Sequence, residues 1–123
     1  MQINESIENY LERILILQQQ KGYARSIDIA SALSVTKPSV SHATKLLREN
    51  GYITMDGDNT IYLTPSGREI AEKMYERHRL IAEFLIHLGV SREIAFQDAC
   101  RMEHDISEES FQAICAHAKA FRA

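Results

Sequence analysis

The sequence predicts a mainly α fold in which a helix-turn-helix is followed by a small β-hairpin and then by a helical region. Three observations predict it. Apolar residues recur at helical spacing in several separate segments. Two short candidate helices, near 26–34 and 37–50, are separated by a tight turn. Between the two prolines, Pro38 and Pro65, two short strand-like runs flank the turn-forming stretch Asp56-Gly57-Asp58-Asn59. The order helix, helix, turn, helix, hairpin, helix is that of a winged helix-turn-helix. The hairpin directly after the third helix is what separates it from an ordinary bundle. Residues 1–70 are read as this domain and 71–123 as a following helical region.

Each element has a local cause. Ile7, Tyr10, Leu11, Ile14, Leu15 and Leu17 form a helical stripe over about residues 4–20, closed by Lys21-Gly22, with Glu5, Glu8, Asn9 and Glu12 on the other face. Ser26 is expected to cap a second helix carrying Ile29, Ala30 and Leu33, with Asp28 near its positive end. Thr36 caps a third, with Pro38 in the first turn, where a missing N–H costs nothing, and Asn50-Gly51 ends it. Tyr52-Ile53-Thr54 and Ile61-Tyr62-Leu63 form the hairpin. Thr64-Pro65 opens a long helix with Ile70, Ala71, Met74, His78, Ile81, Ala82 and Leu85 on one face, stopping near Gly89. Ser91 and Ser107 cap two more helices.

A chain of 123 residues that is 45% hydrophobic can bury a core without staples. It has two cysteines, no signal-peptide pattern and no apolar run of bilayer length, so a cytoplasmic protein with reduced thiols is expected, with no membrane partner. The net charge of −3 is uneven: residues 21–68 hold six bases against four acids, and the segments on either side are acidic. The positive stretch coincides with the helix-turn-helix, as contact with phosphate would require.

In the third helix Val40, Ala43, Leu46 and Leu47 form the apolar stripe. That leaves Lys37, Ser39, Ser41, His42 and Lys45 on the outer face. Lysines and a helix N-terminus bind phosphates, hydroxyls and imidazole hydrogen-bond base edges, and a prolyl ring packs on a thymine methyl. Arg25, Thr36, Lys37, Pro38, Ser39, Ser41, His42 and Lys45 are therefore the candidate contacts to double-stranded DNA. Asp56 and Asp58 make an unexpectedly acidic wing, which either stands off the DNA or is offset by Arg25 and Arg68.

Phe96, Ala99 and Cys100 mark the inward side of the fifth helix, and Glu103 and His104 fall one turn further along it. A buried carboxylate without a partner is costly. Cys100, Glu103 and His104, at i, i+3 and i+4, can converge on one cation, with Asn9 and Glu12 of the first helix as a second edge and His78 as a third contributor. Near the C-terminus, Ile106, Phe111, Ile114, Ala118 and Phe121, with Cys115, offer apolar surface for a homodimer.

Over nearly its whole length the chain resembles the diphtheria-toxin-repressor superfamily, and more closely its shorter manganese-transport-regulator branch. The resemblance rests on Glu8-Asn9-Tyr10-Leu11-Glu12, Asp28-Ile29-Ala30, Lys37-Pro38-Ser39-Val40-Ser41, Leu63-Thr64-Pro65-Ser66-Gly67, His78-Arg79-Leu80 and Ala99-Cys100-Arg101-Met102-Glu103-His104-Asp105-Ile106-Ser107. It implies a winged helix joined to a helical dimerisation region, with a divalent transition metal, Mn2+ or Fe2+, as corepressor, and Co2+ or Zn2+ as substitutes. It implies Glu12, His78, Glu103 and His104 as ligands. Asn9 and Cys100 stand at ligand positions with altered chemistry: Asn9 where the manganese branch typically has aspartate, Cys100 where it has glutamate and the iron branch cysteine. A second iron-branch site is incomplete, because Ala82 and Phe96 stand where that branch has glutamate and histidine. No counterpart of the SH3-like domain of longer relatives follows, so a two-part protein is expected.

The expected function is metal-dependent repression, with metal-uptake genes as targets. The alternatives are a metal-independent winged-helix regulator, in which Glu12, Glu103 and His104 are only interhelical contacts, and a metal-dependent hydrolase. The hydrolase lacks a His-Glu-x-x-His motif and an activated nucleophile.

Overall fold

The structure, a computed structural model, describes the backbone of residues 5–122 and the side chains of residues 7–103 and 105–118. In order, the elements are α1 (Glu5–Lys21), α2 (Ser26–Leu33), α3 (Lys37–Glu49), β1 (Ile53–Met55), β2 (Ile61–Leu63), α4 (Pro65–His87), α5 (Arg92–Asp105) and α6 (Glu108–Arg122). This is the expected mainly α fold with a two-stranded wing. It divides into two compact units, Met1–Lys73 and Met74–Ala123.

In the first unit Leu11, Ile14 and Leu15 of α1, Ile29 of α2, Val40 and Leu47 of α3, and Ile53 and Ile61 of the hairpin are almost completely buried. Each such side chain contributes about 1.5–3 kcal/mol by leaving water. α3 begins where expected. Thr36 is extended (φ −78, ψ 157), and its hydroxyl oxygen accepts from the Ser39 amide at 3.2 Å, with Pro38 inside the first turn. It ends at Gly51, whose φ of +77 suits a residue without Cβ. α2 departs from expectation. Arg25, not Ser26, holds the capping position, and its side chain makes no cap hydrogen bond. Arg25 is pinned there by a bridge to Thr60 and by the Ile61 amide donating to the Ala24 carbonyl at 2.8 Å, which fixes the chain before α2 against the wing. The strands pair antiparallel, Ile53 with Leu63, Thr54 with Tyr62 and Met55 with Ile61. The first strand starts one residue later than the apolar run suggested.

The second unit is built on Leu80, Ile81, Ala82, Ala95, Ala99, Phe111 and Cys115, with Leu85, Val90, Phe96 and Ile106 packed around them. Ser91 and Ser107 cap α5 and α6 as expected, accepting from the Ile94 and Ser110 amides. Phe111 and Ala118, expected on a dimer surface, are instead 7% and 3% exposed within this single chain. Phe111 spends its apolar area in the core of this unit, where α6 packs on α4 and α5. Ile106 and Ile114 are half-buried, and Phe121 lies outside the described side chains. Among the described residues of this unit, Leu88 and Ile94 are the exposed large apolar side chains, at 61% and 46%.

Candidate DNA interface and metal centre

α3 presents two faces. Val40, Ala43, Thr44 and Leu47 are buried, while Thr36, Lys37, Pro38, Ser39, Ser41, His42 and Lys45 are all exposed. Thr44 was not foreseen inside; its hydroxyl donates to the Ser41 carbonyl at 3.1 Å, so the burial leaves no unsatisfied group. Lys45 is 4.0 Å from Glu49, but both side chains are more than half exposed, so the pair only weakly offsets the charge. The outer face thus offers two ammonium groups, hydroxyls and an imidazole along one helix side, the chemistry that phosphates and base edges accept.

Between the start of α2, the first turn of α3 and the wing tip lies a cleft of about 300 Å³, lined by Arg25, Ser26, Ile27, Lys37, Ser41, Asp58 and Asn59. Ser26, Ile27 and Asn59 were not among the expected DNA contacts. The exposure of Ile27, an apolar residue 59% open at a helix start, becomes informative only once the wing is seen beside it. The wing also accounts for its acidity. The Asp56 carboxylate accepts from the Thr60 and Asp58 amides at 3.0 and 2.9 Å and from the Tyr62 hydroxyl at 3.1 Å. The Thr60 amide, then the Asp58 amide, the Tyr62 hydroxyl and the Arg25 charge hold it below the ordinary carboxylate pKa. In return the Asp56 hydrogen bond raises the Tyr62 hydroxyl. Asp56 is therefore a turn-builder, and Arg25 is the base that offsets it. Arg68 is engaged elsewhere, 2.9 Å from Glu72.

In the second unit a ring nitrogen of His78, on α4, and a carboxylate oxygen of Glu103, on α5, lie within 4.8 Å of each other. Two donors bound to one cation at about 2.1 Å each can be at most about 4.2 Å apart, so this pair stands close to the spacing a shared ion needs. Glu103 is 2% exposed, a depth at which a carboxylate requires charge or hydrogen-bond partners and which suits a metal ligand. His78 Nε2 is 2.9 Å from the Phe96 carbonyl oxygen. A carbonyl only accepts, so Nε2 carries hydrogen, and in the neutral ring the lone pair is on Nδ1. This is the orientation that a backbone partner imposes on a ligating imidazole. Cys100, half-buried, lies one turn before Glu103 on the same helix, and the side chain of His104 lies outside the described residues. Cys100 and Cys115 are both thiols.

In the first unit Asn9 and Glu12 sit one turn apart on α1, half-buried and 3% exposed respectively. The donors implied by the iron branch at a second site are missing, since Ala82 is buried in the core and the Phe96 ring packs 5.5 Å from His78. Glu83 pairs with Arg79 at 3.0 Å.

A recognition helix with a cationic, hydroxyl-rich face beside a wing, and a helical unit that brings an imidazole nitrogen and a carboxylate oxygen within 4.8 Å of each other, are the features of a metal-regulated DNA-binding protein. Comparison with known proteins agrees. Residues 2–61 match the family described as "Iron dependent repressor, N-terminal DNA binding domain", and residues 64–122 match "Iron dependent repressor, metal binding and dimerisation domain". The chain belongs to this family of metal-dependent transcriptional repressors, whose members are regulators and not enzymes. It is 41% identical over 112 residues to the transcriptional regulator MntR of Salmonella typhimurium strain LT2, covering 91% of this chain and 71% of that one. It is 39% identical over 109 residues to the HTH-type transcriptional regulator MntR of Geobacillus kaustophilus, covering 89% and 77%. Among solved structures it is similar to the T. acidophilum IdeR (TM-score 0.80, 30% identity, 95% of this chain). It is also similar to a manganese-dependent transcriptional repressor in complex with manganese (TM-score 0.81, 28% identity, 92% of this chain). The chain spans 55% and 52% of the lengths of those two. No helix among the described residues is long and apolar enough to cross a membrane.

Proposed function

We propose that this chain is a homodimeric repressor of metal-uptake genes that binds operator DNA when Mn2+ or Fe2+ is held by His78, Glu103, Glu12, Cys100 and His104, with the Asn9 amide oxygen as a further donor. The approach of the His78 and Glu103 donor atoms carries this reading. An imidazole nitrogen and a buried carboxylate suit a divalent transition ion, and the Cys100 thiolate as a further ligand would bias the set towards iron, cobalt or zinc relative to an all-oxygen edge. When bound, such an ion would supply the positive charge that offsets the buried carboxylate.

The residues then do the following. The Phe96 carbonyl accepts from His78 Nε2, which would leave the Nδ1 lone pair to hold the ion. Glu103 contributes negative charge from a site where water does not compete. Glu12, drawn from α1 of the DNA-binding unit, makes affinity depend on how that unit is docked, so the docked arrangement is favoured by whatever free energy it adds to binding. In a two-fold dimer, fixing each winged helix sets the spacing of the two recognition helices. That spacing must match half-sites about one helical turn, or a multiple, apart. Exposed Leu88 and Ile94 support a partner surface on the second unit. On DNA, Lys37, Lys45 and Arg25 serve phosphates, and Pro38, Ser39, Ser41 and His42, beside the capping Thr36, serve bases.

The test is selection from a random-sequence duplex pool, with chelated protein and with Mn2+, Fe2+, Co2+ or Zn2+ added. Enrichment of a two-fold symmetric sequence only with metal is expected. Equal enrichment in chelator would make the protein a metal-independent regulator.

A further inference from the structure

Arg77 is a charged residue on the buried stripe of α4, three residues after Met74 and four before Ile81, and is 9% exposed. Its Nη2 donates to the backbone carbonyl of Glu103 at 3.0 Å, and its Nη1 donates to a Glu108 carboxylate oxygen, also at 3.0 Å. Its guanidinium carbon lies 4.1 Å from the centre of the Phe111 ring. One side chain therefore ties α4 to the last turn of α5 and the first turn of α6.

The Glu103 carbonyl needs such a donor. α5 stops at Asp105, and Ile106 is already extended (φ −94, ψ 152), so the amide four residues on does not continue the helical ladder. A cation at that helix end also meets the negative pole of its dipole. Pure stabilisation is a poor account of an arginine here. Its Nε is buried without a hydrogen-bond partner, a cost that an apolar side chain of similar volume would avoid. What an apolar side chain cannot do is grip the backbone of Glu103 from the residue adjoining His78.

We propose that Arg77 is a positioning residue for the metal centre, fixing the backbone of Glu103 relative to the turn that carries His78. The inference rests on His78 and Glu103 being ligands. Arg77 carries no donor to the ion itself. It links the two turns from which the donors project, and through Glu108 and Phe111 it extends that link to α6.

The test is Co2+ titration of the chelated full chain followed by visible d–d absorption, with metal-free thermal melts, for wild type, E103Q, R77M and R77K. R77M is expected to bind Co2+ about 10–100-fold more weakly, the usual effect of removing a residue that orients a ligand, with shifted d–d bands. R77K, which keeps charge but not the two-pronged grip, is expected between R77M and wild type. Wild-type affinity and bands in R77M overturn the proposal whatever its melting temperature. If R77M does not fold, wild-type affinity and bands in R77K overturn it. Undiminished Co2+ affinity in E103Q refutes the ligand assignment instead, separately from the behaviour of Arg77.

Discussion

At Cys100 a sulfur stands where the manganese branch that this chain resembles has an oxygen donor. Thiolates prefer softer ions, so Cys100→Glu is expected to raise the affinity for Mn2+ relative to Co2+. Isothermal titration with both ions measures the ratio, and an unchanged ratio would leave Cys100 as a small half-buried hydrophobe. Asp56 yields a prediction about pH. Its folded-state pKa is depressed, first by the Thr60 amide, so the stability that it lends the wing is complete above the ordinary carboxylate value and disappears as pH falls through the depressed one. The Thr60 amide resonance should titrate with a midpoint below 3.8; a midpoint at or above that value would show that the carboxylate does not hold the turn. The type of residue 56 was plain in the sequence, but its role was not, because the Tyr62 hydroxyl reaches it only once the strands pair.

Among the elements, the junction of α3, β1 and α4 is the most tightly specified. The Thr64 and Ser66 hydroxyls both donate to the Gly51 carbonyl, at 2.6 and 3.1 Å, and the Thr64 amide donates to the Tyr52 carbonyl at 3.1 Å. This binds the start of α4 to the exit of the recognition helix. A Cβ at Gly67 would collide with the Tyr52 carbonyl oxygen and approach its carbon to 2.9 Å, both backbone atoms that cannot swing aside. Gly67→Ala should therefore destabilise the first unit by about 1–3 kcal/mol, the range for overpacking, and a thermal or urea melt reads it. A loss below about 0.5 kcal/mol would mean that the junction relaxes freely. Thr64-Pro65 was legible as a helix start because its signal is local. The need for glycine two residues later was not, because it comes from a backbone 15 residues away in the chain. Likewise Ser26 had the right chemistry for a cap, but the wing draws Arg25 into that place.

For the molecule as a whole, the division of labour on DNA is the measurable consequence. Lys37→Ala and Lys45→Ala should weaken operator and random duplex alike and flatten the salt dependence by about one unit of log–log slope each, since a phosphate contact releases counterions without reading sequence. His42→Ala should instead reduce the preference for operator over random duplex. Equal loss of that preference in all three variants, measured by fluorescence anisotropy across a salt series, would show the roles misassigned. The sequence by itself determined the element order, the polar face of α3, the caps at Thr36, Ser91 and Ser107, and the one-turn spacing of Cys100 and Glu103. All of these depend on residues within about one helical turn of each other, where backbone geometry leaves little choice. Only the tertiary structure decided which side chains spend their surface or charge inside the chain. Phe111 is consumed by the core of the second unit, Asp56 by its own hairpin, and Arg77 by acceptors 26 and 31 residues away. Periodicity states that a face is apolar or charged, but what fills the space opposite it is set by the packing of elements distant in the chain.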